Sequence, residues 1–336
     1  MDMKHALRTA LFLMLLLFAA AWTLAGAPFD TTPDEPDASG ISPPPAVQFG
    51  ESDSETTLRV LRGDTIEEMD MATYLVGVLR AEMPASFEEE ALKAQVVAAR
   101  TYTLHKMQNG GSPRHPDADT CDDITCCKAY KGQDVAAAEW GISAETYEQK
   151  LRNAVAQTDG EVILYGGEPI LAVFHSSSSG TTRSAGEVWQ NDLPYLQSVA
   201  SPEGAQSVPN YHSVARFSAE EFKSIILENH PDAIFTDDIK DWITNMDCAA
   251  DGSVRTLKVG GVTLTGVEMR TLLALRSACF SVVAAEESLT FYVTGYGHGV
   301  GMSQYGANAL AQQGKSYREI LQWYYTDVSV GEYRAA

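Results

Sequence analysis

The stretch that decides the fold runs from residue 70 to residue 103 and reads DMATYLVGVLRAEMPASFEEEALKAQVVAARTYT. Asp70 is a helix-capping residue, and apolar residues follow it at helical spacing. The first helix is predicted to end just before Pro84, because proline disfavours helical geometry in the preceding residue. Ser86, with a glutamate three positions later, predicts a capping box that begins a second helix. The stretch therefore predicts a helical hairpin with Glu82 at its corner.

Outside this hairpin, predicted helices and strands follow one another without the regular alternation of a parallel βαβ fold. Helices are predicted near residues 144–157, 219–228 and 316–325, and strands near 161–165, 170–174, 253–259 and 289–293. A Gly166-Gly167 turn joins the first two strands into a hairpin. We therefore predict an α+β fold, a single catalytic domain of mixed helices and antiparallel hairpins over residues 58–336.

The N-terminus carries an export signal. Lys4 and Arg8 precede an apolar run over residues 10–27, which as a helix would span about 27 Å, close to the ~30 Å hydrocarbon core of a bilayer. Residues 1–27 are therefore predicted to be a signal anchor that forms one transmembrane helix, although Ala25-Gly26-Ala27 leaves a cleaved signal peptide open. No Lys or Arg follows for 31 residues, which predicts a single-pass membrane protein whose C-terminal domain is extracytoplasmic.

Residues 28–57 have a different composition from the rest of the chain. They contain six prolines, seven acidic residues and no Lys or Arg, with few side chains that could pack a core. This composition predicts a disordered linker. A flexible chain of this length reaches about 30 Å, which would lift the following domain off a membrane.

The charge of the chain excludes one class of partner. The formal net charge is −21 over 336 residues. A nucleic-acid-binding protein needs a basic surface that displaces counterions from phosphates, so no nucleic-acid partner is expected.

Glu82 is the predicted catalytic acid. The C-terminal end of a helix is the negative end of its dipole, which disfavours a further negative charge and favours a carboxyl group that can donate a proton. Protonation of a glycosidic oxygen requires such a group. The alternative is that Glu82 is one solvated carboxylate among the 45 acidic residues of the chain.

Three sequence blocks carry a family resemblance. The first is VLRAEMP at residues 78–84 with EALKAQ at 90–95 and AARTY at 98–102; the second is FHSSSSG at 174–180 before Val188-Trp189; the third is GYGHGVGMSQYGA at 295–307. In order and spacing they resemble the stage II sporulation protein D family over residues 58–330. The resemblance implies a peptidoglycan lytic transglycosylase of engulfment, a lyase that cleaves the bond between N-acetylmuramic acid (MurNAc) and N-acetylglucosamine (GlcNAc) and leaves 1,6-anhydroMurNAc ends.

The same resemblance implies a mechanism and partners. Glu82 would protonate the leaving oxygen and then act as base toward the C6 hydroxyl of muramic acid, so that one carboxylate suffices. The implied partners are glycan strands without stem peptides, a sporulation amidase and a membrane partner of the engulfment complex. The implied location is the mother-cell membrane, facing the septal intermembrane space.

Further residues are predicted to bind substrate. The serine run could be a flexible connector, but its hydroxyl and amide groups suit a glycan, and a glycine-rich loop allows close approach of backbone to a ligand. His298 could orient Glu82 or bind sugar, although a lone histidine is commonly structural. The predicted substrate contacts are Arg100, Tyr102, Ser176, Ser177, Gly180, His298, Gln304 and Tyr305.

His115, Cys121, Cys126 and Cys127 form a candidate metal site. Thiolate and imidazole ligands suit tetrahedral zinc, while a disulfide from Cys121 to Cys126 or Cys127 is the alternative in an exported protein. The family resemblance implies a structural Zn²⁺, since clostridial members carry one in the corresponding loop. The family pattern has His where this chain has Cys126, which leaves the fourth ligand open. Cys248 and Cys279 remain as thiols or as a second pair.

Two other functions fit parts of this sequence. Domains related to this family occur in proteins that stimulate cell-wall amidases, so a non-catalytic glycan-binding stimulator is the main alternative. A catalytic zinc centre of a hydrolase is the other. A chelator would then abolish activity while the fold persists, whereas loss of a structural zinc would remove both.

Overall fold

The computed structural model of the chain describes residues 47–189 and 191–333. The predicted signal anchor, residues 1–27, and the linker up to residue 46 lie outside the described residues. In the part that is described, no helix is long and apolar enough to cross a membrane.

The last part of the predicted linker is folded, which corrects the predicted boundary at residue 58. Helix α1 spans Glu51–Glu55, and its Asp53 is buried. Asp53 forms a buried ion pair with Arg100, 2.5 Å between Oδ2 and Nη2. The acidic composition of residues 28–57 predicted disorder. It did not reveal this contact, because the partner of Asp53 lies 47 residues further along the chain.

The first half of the chain contains most of the helices. After α1 come β1 (Thr57–Arg62), β2 (Thr65–Asp70), α2 (Met71–Glu82), α3 (Glu89–Gln108), β3 (Thr120–Cys121), α4 (Gln133–Trp140), α5 (Ala144–Ala156), β4 (Glu161–Tyr165), β5 (Glu168–Pro169), β6 (Phe174–His175) and α6 (Ala185–Trp189). The predicted strand at 170–174 is wrong for most of its length, since only its last residue belongs to a strand.

The second half contains most of the strands. Its helices and strands, in chain order, are β7 (His212–Ser218), α7 (Ala219–Asn229), β8 (Ile243–Cys248), β9 (Val254–Val259), β10 (Val262–Thr265), α8 (Gly266–Leu272), β11 (Phe280–Ala285), β12 (Ser288–Thr294), β13 (Met302–Ser303), α9 (Gln304–Gln312), α10 (Tyr317–Tyr324) and β14 (Ser329–Glu332). Short 3₁₀ turns span Gly141–Ser143 and Ile239–Asp241. The α+β class is therefore confirmed, with mainly antiparallel sheets.

The predicted helical hairpin is present. Asp70 caps α2 through Oδ1, which accepts a hydrogen bond from the Thr73 amide at 2.7 Å, and the helix ends at Glu82 before an extended Met83. The capping box predicted at Ser86 is wrong. Helix α3 begins after Glu88, whose amide donates instead to the side chain of Asn308 at 2.8 Å. This start is set by a contact 220 residues away, which no local pattern encodes.

Two hydrophobic cores divide the strands and helices between them. The first core surrounds α3, which packs against α2, α5, α9, α10 and β4. The second lies between the sheet β11-β12-β7, the sheet β10-β9-β8 and helix α7. Its residues fall in sequence between the serine loop, residues 176–180, and the glycine-histidine loop, residues 295–301.

The two loops meet where the chain returns to the first core. Strand β6 pairs in parallel with β13, and isolated bridges join Ser177 to Tyr296 and Arg183 to Val300. The serine loop and the glycine-histidine loop therefore lie side by side, although 115 residues separate Gly180 from Gly295.

Candidate functional site

Glu82 lies half-buried at the end of α2, as predicted. Its Oε1 accepts a hydrogen bond from the backbone amide of Ala129 at 3.2 Å, and its Oε2 accepts none from the described residues. One oxygen of the carboxyl group is thus held by the backbone, while the other is available for a proton.

Lys128 lies beside this carboxyl group with its side chain buried. Its Nζ is 3.7 Å from the centre of the Phe174 ring and 4.2 Å from that of Tyr102. Burial lowers the pKa of Lys128 to about 8, while the charge of Glu82 acts in the opposite direction. The aromatic faces hold this cation by its attraction to their π-electrons.

The four predicted metal ligands come together in the loop before Lys128. The ligand atoms of His115, Cys121, Cys126 and Cys127 all lie within 4.8 Å of one another. The Sγ atoms of Cys126 and Cys127 are 3.8 Å apart, and Nε2 of His115 is 3.2 Å from Sγ of Cys127. Four ligands about 2.0–2.3 Å from one tetrahedral zinc ion have separations of this size.

The surroundings of the cluster also fit a metal. Nδ1 of His115 lies 3.0 Å from the carbonyl oxygen of Ala118, an arrangement that directs Nε2 toward the thiols. Lys106 places Nζ 2.7 Å from Sγ of Cys127. Burial acts to raise the pKa of the Cys127 thiol, but hydrogen bonds led by that from Lys106 hold it at about 6. Cys126, which the sequence left open as a fourth ligand, belongs to the same group of four ligand atoms.

The cysteines form no disulfide in this structure. All five are free, so the alternative pairing of Cys121 with Cys126 or Cys127 is not found. Cys248 lies opposite Val254 in the β8–β9 pair, and Cys279 lies opposite the neighbouring Ser253. The segment that contains Ser253 and Val254 therefore separates these last two thiols.

The glycine-histidine loop packs closely against the serine loop and the residues just before it. Gly297 has a φ of 119°, and a Cβ there would lie 2.6 Å from that of His175; Gly301 has a φ of 70°, and a Cβ there would lie 2.1 Å from the carbonyl oxygen of Val173. The positive φ angles and close approach predicted for this loop are present. The close approach is to the neighbouring strand, and it fixes the two loops together.

His298 is held by its own backbone surroundings. Its Nε2 lies 3.0 Å from the carbonyl oxygen of Phe174, and its Nδ1 accepts from the Val300 amide at 3.1 Å. Burial lowers the pKa of His298 well below its usual value, so the ring is neutral at pH 7. Both ring nitrogens therefore have hydrogen-bond partners. The centre of the ring lies 5.3 Å from that of the exposed Trp189 indole.

Tyr305 packs edge-to-face on Phe87, 5.0 Å between ring centres, and its amide donates to the carbonyl oxygen of Ser176 at 3.1 Å. Ser176 and Tyr305 are half-exposed beside the segment that follows Glu82. Gln304 is buried and donates to Gln95 at 3.5 Å. Of these predicted contacts, Ser176 and Tyr305 are the ones that a glycan could reach.

Ser177 and Gly180 belong to the serine loop as predicted. Ser177 is buried, and its Oγ has no hydrogen-bond partner among the described residues. Gly180 has a φ of 99°, and its amide donates to Oγ of Ser178 at 3.3 Å. The serine run is therefore an ordered loop and not a flexible connector.

Two further predicted substrate contacts are covered by other parts of the chain. Arg100 is 1% exposed, with Asp53 and the carbonyl oxygen of Glu161 as hydrogen-bond partners, so the structure gives it a role in the core. Tyr102 lies under Lys128, and its hydroxyl is 3.5 Å from the carbonyl oxygen of Cys126. Helical spacing placed both on α3 correctly, but it did not show that other segments cover them.

Glu203 is an important residue that the sequence did not reveal. Its buried carboxylate accepts hydrogen bonds from the Ser178 amide (2.7 Å) and hydroxyl (2.8 Å), from Ser201 (2.5 Å) and from Ser303 (2.5 Å). Ser201 also contacts the Tyr324 hydroxyl at 2.6 Å. Glu203 thus ties the serine loop to the start of α9, and no local pattern signals this role.

Known proteins resemble this chain over most of its length. Residues 62–165 match the family model described as stage II sporulation protein. Stage II sporulation protein D of Bacillus subtilis (strain 168) is 34% identical over 303 residues, covering 89% of this chain and 86% of that protein. The Bacillus amyloliquefaciens protein of the same name is 36% identical over 269 residues, covering 80% and 76%.

A more distant relative bears a different name. The amidase enhancer of Bacillus subtilis (strain 168) is 29% identical over 308 residues, which cover 77% of this chain and 40% of that protein. The extent and identity of the first two matches show that this chain belongs to the stage II sporulation protein D family.

Proposed function

We propose that this protein is a peptidoglycan lytic transglycosylase of sporulation, with Glu82 as its catalytic acid and base. The observation that carries the proposal is the fixed carboxyl group of Glu82. One of its oxygens accepts from the Ala129 amide, while the other has no partner among the described residues. A general acid needs this combination of fixed orientation and a free oxygen.

The reaction proceeds in two steps at this one group. Glu82 donates its proton to the glycosidic oxygen between MurNAc and GlcNAc, and the bond from that oxygen to C1 of MurNAc breaks. The C6 hydroxyl of the same MurNAc then attacks C1, and its proton passes to the Glu82 carboxylate. The products are a 1,6-anhydroMurNAc end and a free GlcNAc hydroxyl, and Glu82 is protonated again. Since the nucleophile belongs to the sugar, no second carboxylate is required to activate water.

His115, Cys121, Cys126 and Cys127 fit a zinc ion in a structural role. Four protein ligands leave no open position for substrate or water, so a bound zinc would supply loop stability and no step of the reaction. Lys128 and Ala129 follow directly on Cys127. The metal loop thereby determines where the amide that holds Glu82 lies.

The proposed setting follows from the N-terminal sequence and the family. The chain would be anchored in the mother-cell membrane with this domain in the septal intermembrane space. Its partners would be glycan strands from which an amidase has removed the stem peptides, that amidase, and a membrane partner of the engulfment complex. The acidic surface suits no nucleic acid.

The test is mass spectrometry of products from purified, peptide-free glycan strands incubated with the full-length protein in detergent. We expect anhydromuramic ends from the wild-type protein and at least a 100-fold slower reaction from Glu82→Gln, in line with the usual contribution of a general acid. Glu89→Gln is the matched control, since Glu89 is exposed on the same hairpin. Reducing ends instead of anhydro ends would identify a hydrolase and overturn the proposal.

The second candidate is a non-catalytic glycan-binding stimulator of a cell-wall amidase, favoured by the match to a protein named amidase enhancer. In that case the folded wild-type protein yields no glycan products but accelerates an added amidase, and Glu82→Gln has no effect. A catalytic zinc hydrolase would instead lose activity with a chelator while its melting temperature stays unchanged.

A further inference from the structure

Lys128 is a buried cation without a polar partner. The residue is 9% exposed, and its Nζ forms no hydrogen bond or ion pair with any described residue. Nζ is also not among the fully enclosed side-chain atoms that lack a partner in residues 47–189 and 191–333, so it keeps contact with solvent. Lysines buried to this degree are normally paired. The ammonium group therefore has free donors that an anion from outside the protein can reach.

Two aromatic rings hold the ammonium group in place. Nζ lies 3.7 Å from the centre of the Phe174 ring on β6 and 4.2 Å from that of the Tyr102 ring on α3. The faces of these rings attract a cation, but they supply no oxygen acceptor for its N–H groups. The rings therefore fix the position of the charge and leave it without a counter-ion.

The cation lies next to the proposed catalytic carboxyl group and is not paired with it. Ala129, the residue after Lys128, donates its amide to Oε1 of Glu82 at 3.2 Å. The charge of Glu82 acts on Lys128, yet the two side chains form no ion pair. Such a pair would stabilise the carboxylate form of Glu82 and oppose its role as a proton donor. Lys128 is therefore placed to contact a substrate that Glu82 protonates.

The metal cluster does not account for this cation, because another lysine already contacts it. Nζ of Lys106 lies 2.7 Å from Sγ of Cys127 and 2.9 Å from the carbonyl oxygen of Cys126. Cys127 acts on Lys128 through its charge alone, with no hydrogen bond between them. The ammonium group of Lys128 thus remains available after the needs of the cluster are met.

A peptide-free glycan strand carries an anion where this cation could meet it. When an amidase removes a stem peptide, the amide on the lactyl group of MurNAc becomes a carboxylate. The lactyl ether stands on C3 of the same sugar whose bond at C1 breaks, so the carboxylate is only a few bonds from the reacting atoms. The chain has a net charge of −21, which disfavours an anionic ligand unless a local cation attracts it.

We propose that the ammonium group of Lys128 binds the lactyl carboxylate of the MurNAc unit that is cleaved, and thereby selects strands without stem peptides. A strand that keeps its stem peptide presents a neutral amide at this point, which leaves the buried cation unpaired. Lys128 is in this sense a specificity-determining residue. The assignment of the ligand as a wall glycan rests on the proposed function.

The experiment compares two forms of the same peptide-free glycan strands, incubated with the full-length protein in detergent. One form keeps its lactyl carboxylates, and in the other they are converted to neutral methylamides. Mass spectrometry gives the initial rate at which anhydromuramic ends form, at strand concentrations below KM. We expect the wild-type protein to cleave the carboxylate form at least about 10-fold faster, as for other hydrogen bonds to a charged group. Equal rates would overturn the proposal without recourse to any variant.

Lys128→Met is the test on the protein side, since it keeps an unbranched side chain against the two rings and removes the charge. It should cleave the carboxylate form about 10-fold more slowly and the methylamide form at nearly the wild-type rate. Lys128→Arg keeps the charge and should keep the preference. Lys131→Met is the matched control, because Lys131 lies in the same segment and pairs with Glu139. Equal slowing of both forms by Lys128→Met would assign Lys128 to the support of the loop and overturn the proposal.

Failure of this proposal differs from failure of the proposed function. Calorimetry on Glu82→Gln, with and without Lys128→Met, measures binding of the two strand forms apart from cleavage. Tighter binding of the carboxylate form that Lys128→Met abolishes, without anhydromuramic ends from the wild-type protein, would support the Lys128 site and refute the transglycosylase. Anhydromuramic ends formed at equal rates from both strand forms would do the reverse.

Discussion

Arg100 and Arg183 are both buried, 1% and 6% exposed, yet their surroundings differ. Arg100 in the first core has Asp53 and the carbonyl oxygen of Glu161 as partners. Arg183, between the two cores, has an unpartnered Nε and faces a cavity. Removal of one member of a buried ion pair leaves the other charge unpaired in the core, whereas removal of a buried charge whose partners are incomplete leaves less behind.

The largest effect is expected at the first arginine. Arg100→Met should destabilise the protein by about 3–5 kcal/mol and lower its melting temperature by roughly 10 °C, because Asp53 is left charged in the core. Burial already raises the pKa of Asp53, so the loss should shrink at acidic pH, where the carboxyl group is neutral. Thermal unfolding at two pH values measures this. An unchanged melting temperature would mean that the pair is not buried in solution.

Metal removal should have the next largest effect. A zinc ion at 100 times its dissociation constant stabilises a folded protein by about 2.7 kcal/mol. Incubation of the zinc-loaded protein with a chelator, or the change Cys127→Ser, should therefore lower the melting temperature and the cleavage rate together. Cys248→Ser is the control, since Cys248 is exposed and outside the cluster. Loss of cleavage at an unchanged melting temperature would contradict a structural role.

Glu203→Gln should have a smaller effect on stability, about 1–2 kcal/mol, because the amide keeps one acceptor oxygen and loses the other. Its second consequence concerns the candidate site. The serine loop and the start of α9 lose a common anchor, so the proposed cleavage of peptide-free glycan strands should slow as well. Glu220→Gln, an exposed change on α7, serves as the control. Loss of stability with an unchanged cleavage rate would assign Glu203 to the core alone.

Arg183→Met should have the smallest effect on stability, under about 1 kcal/mol, because it removes a buried charge whose partners are incomplete. Denaturant unfolding of the Arg183→Met and Arg100→Met variants measures the difference. Equal destabilisation by the two changes would remove the distinction between these arginines.

Sequence reasoning succeeded where the partners are near in the chain. The Asp70 cap, the end of α2 at Glu82 before Pro84 and the grouping of His115 with three cysteines each depend on contacts within about a dozen residues. It failed where the partner is distant. Arg100 pairs with a residue of apparently disordered sequence, and Glu203 holds serines from three separate segments.

The hydrogen bond from Ala129 to Glu82 has a consequence for mutational scanning. The donor is a main-chain amide, so every side-chain replacement at position 129 retains it except proline, which has no N–H. A scan that substitutes alanine cannot report this contact, since the residue is alanine already. The position would pass as tolerant in any screen that omits proline, even though it orients the carboxyl group on which the proposed chemistry depends.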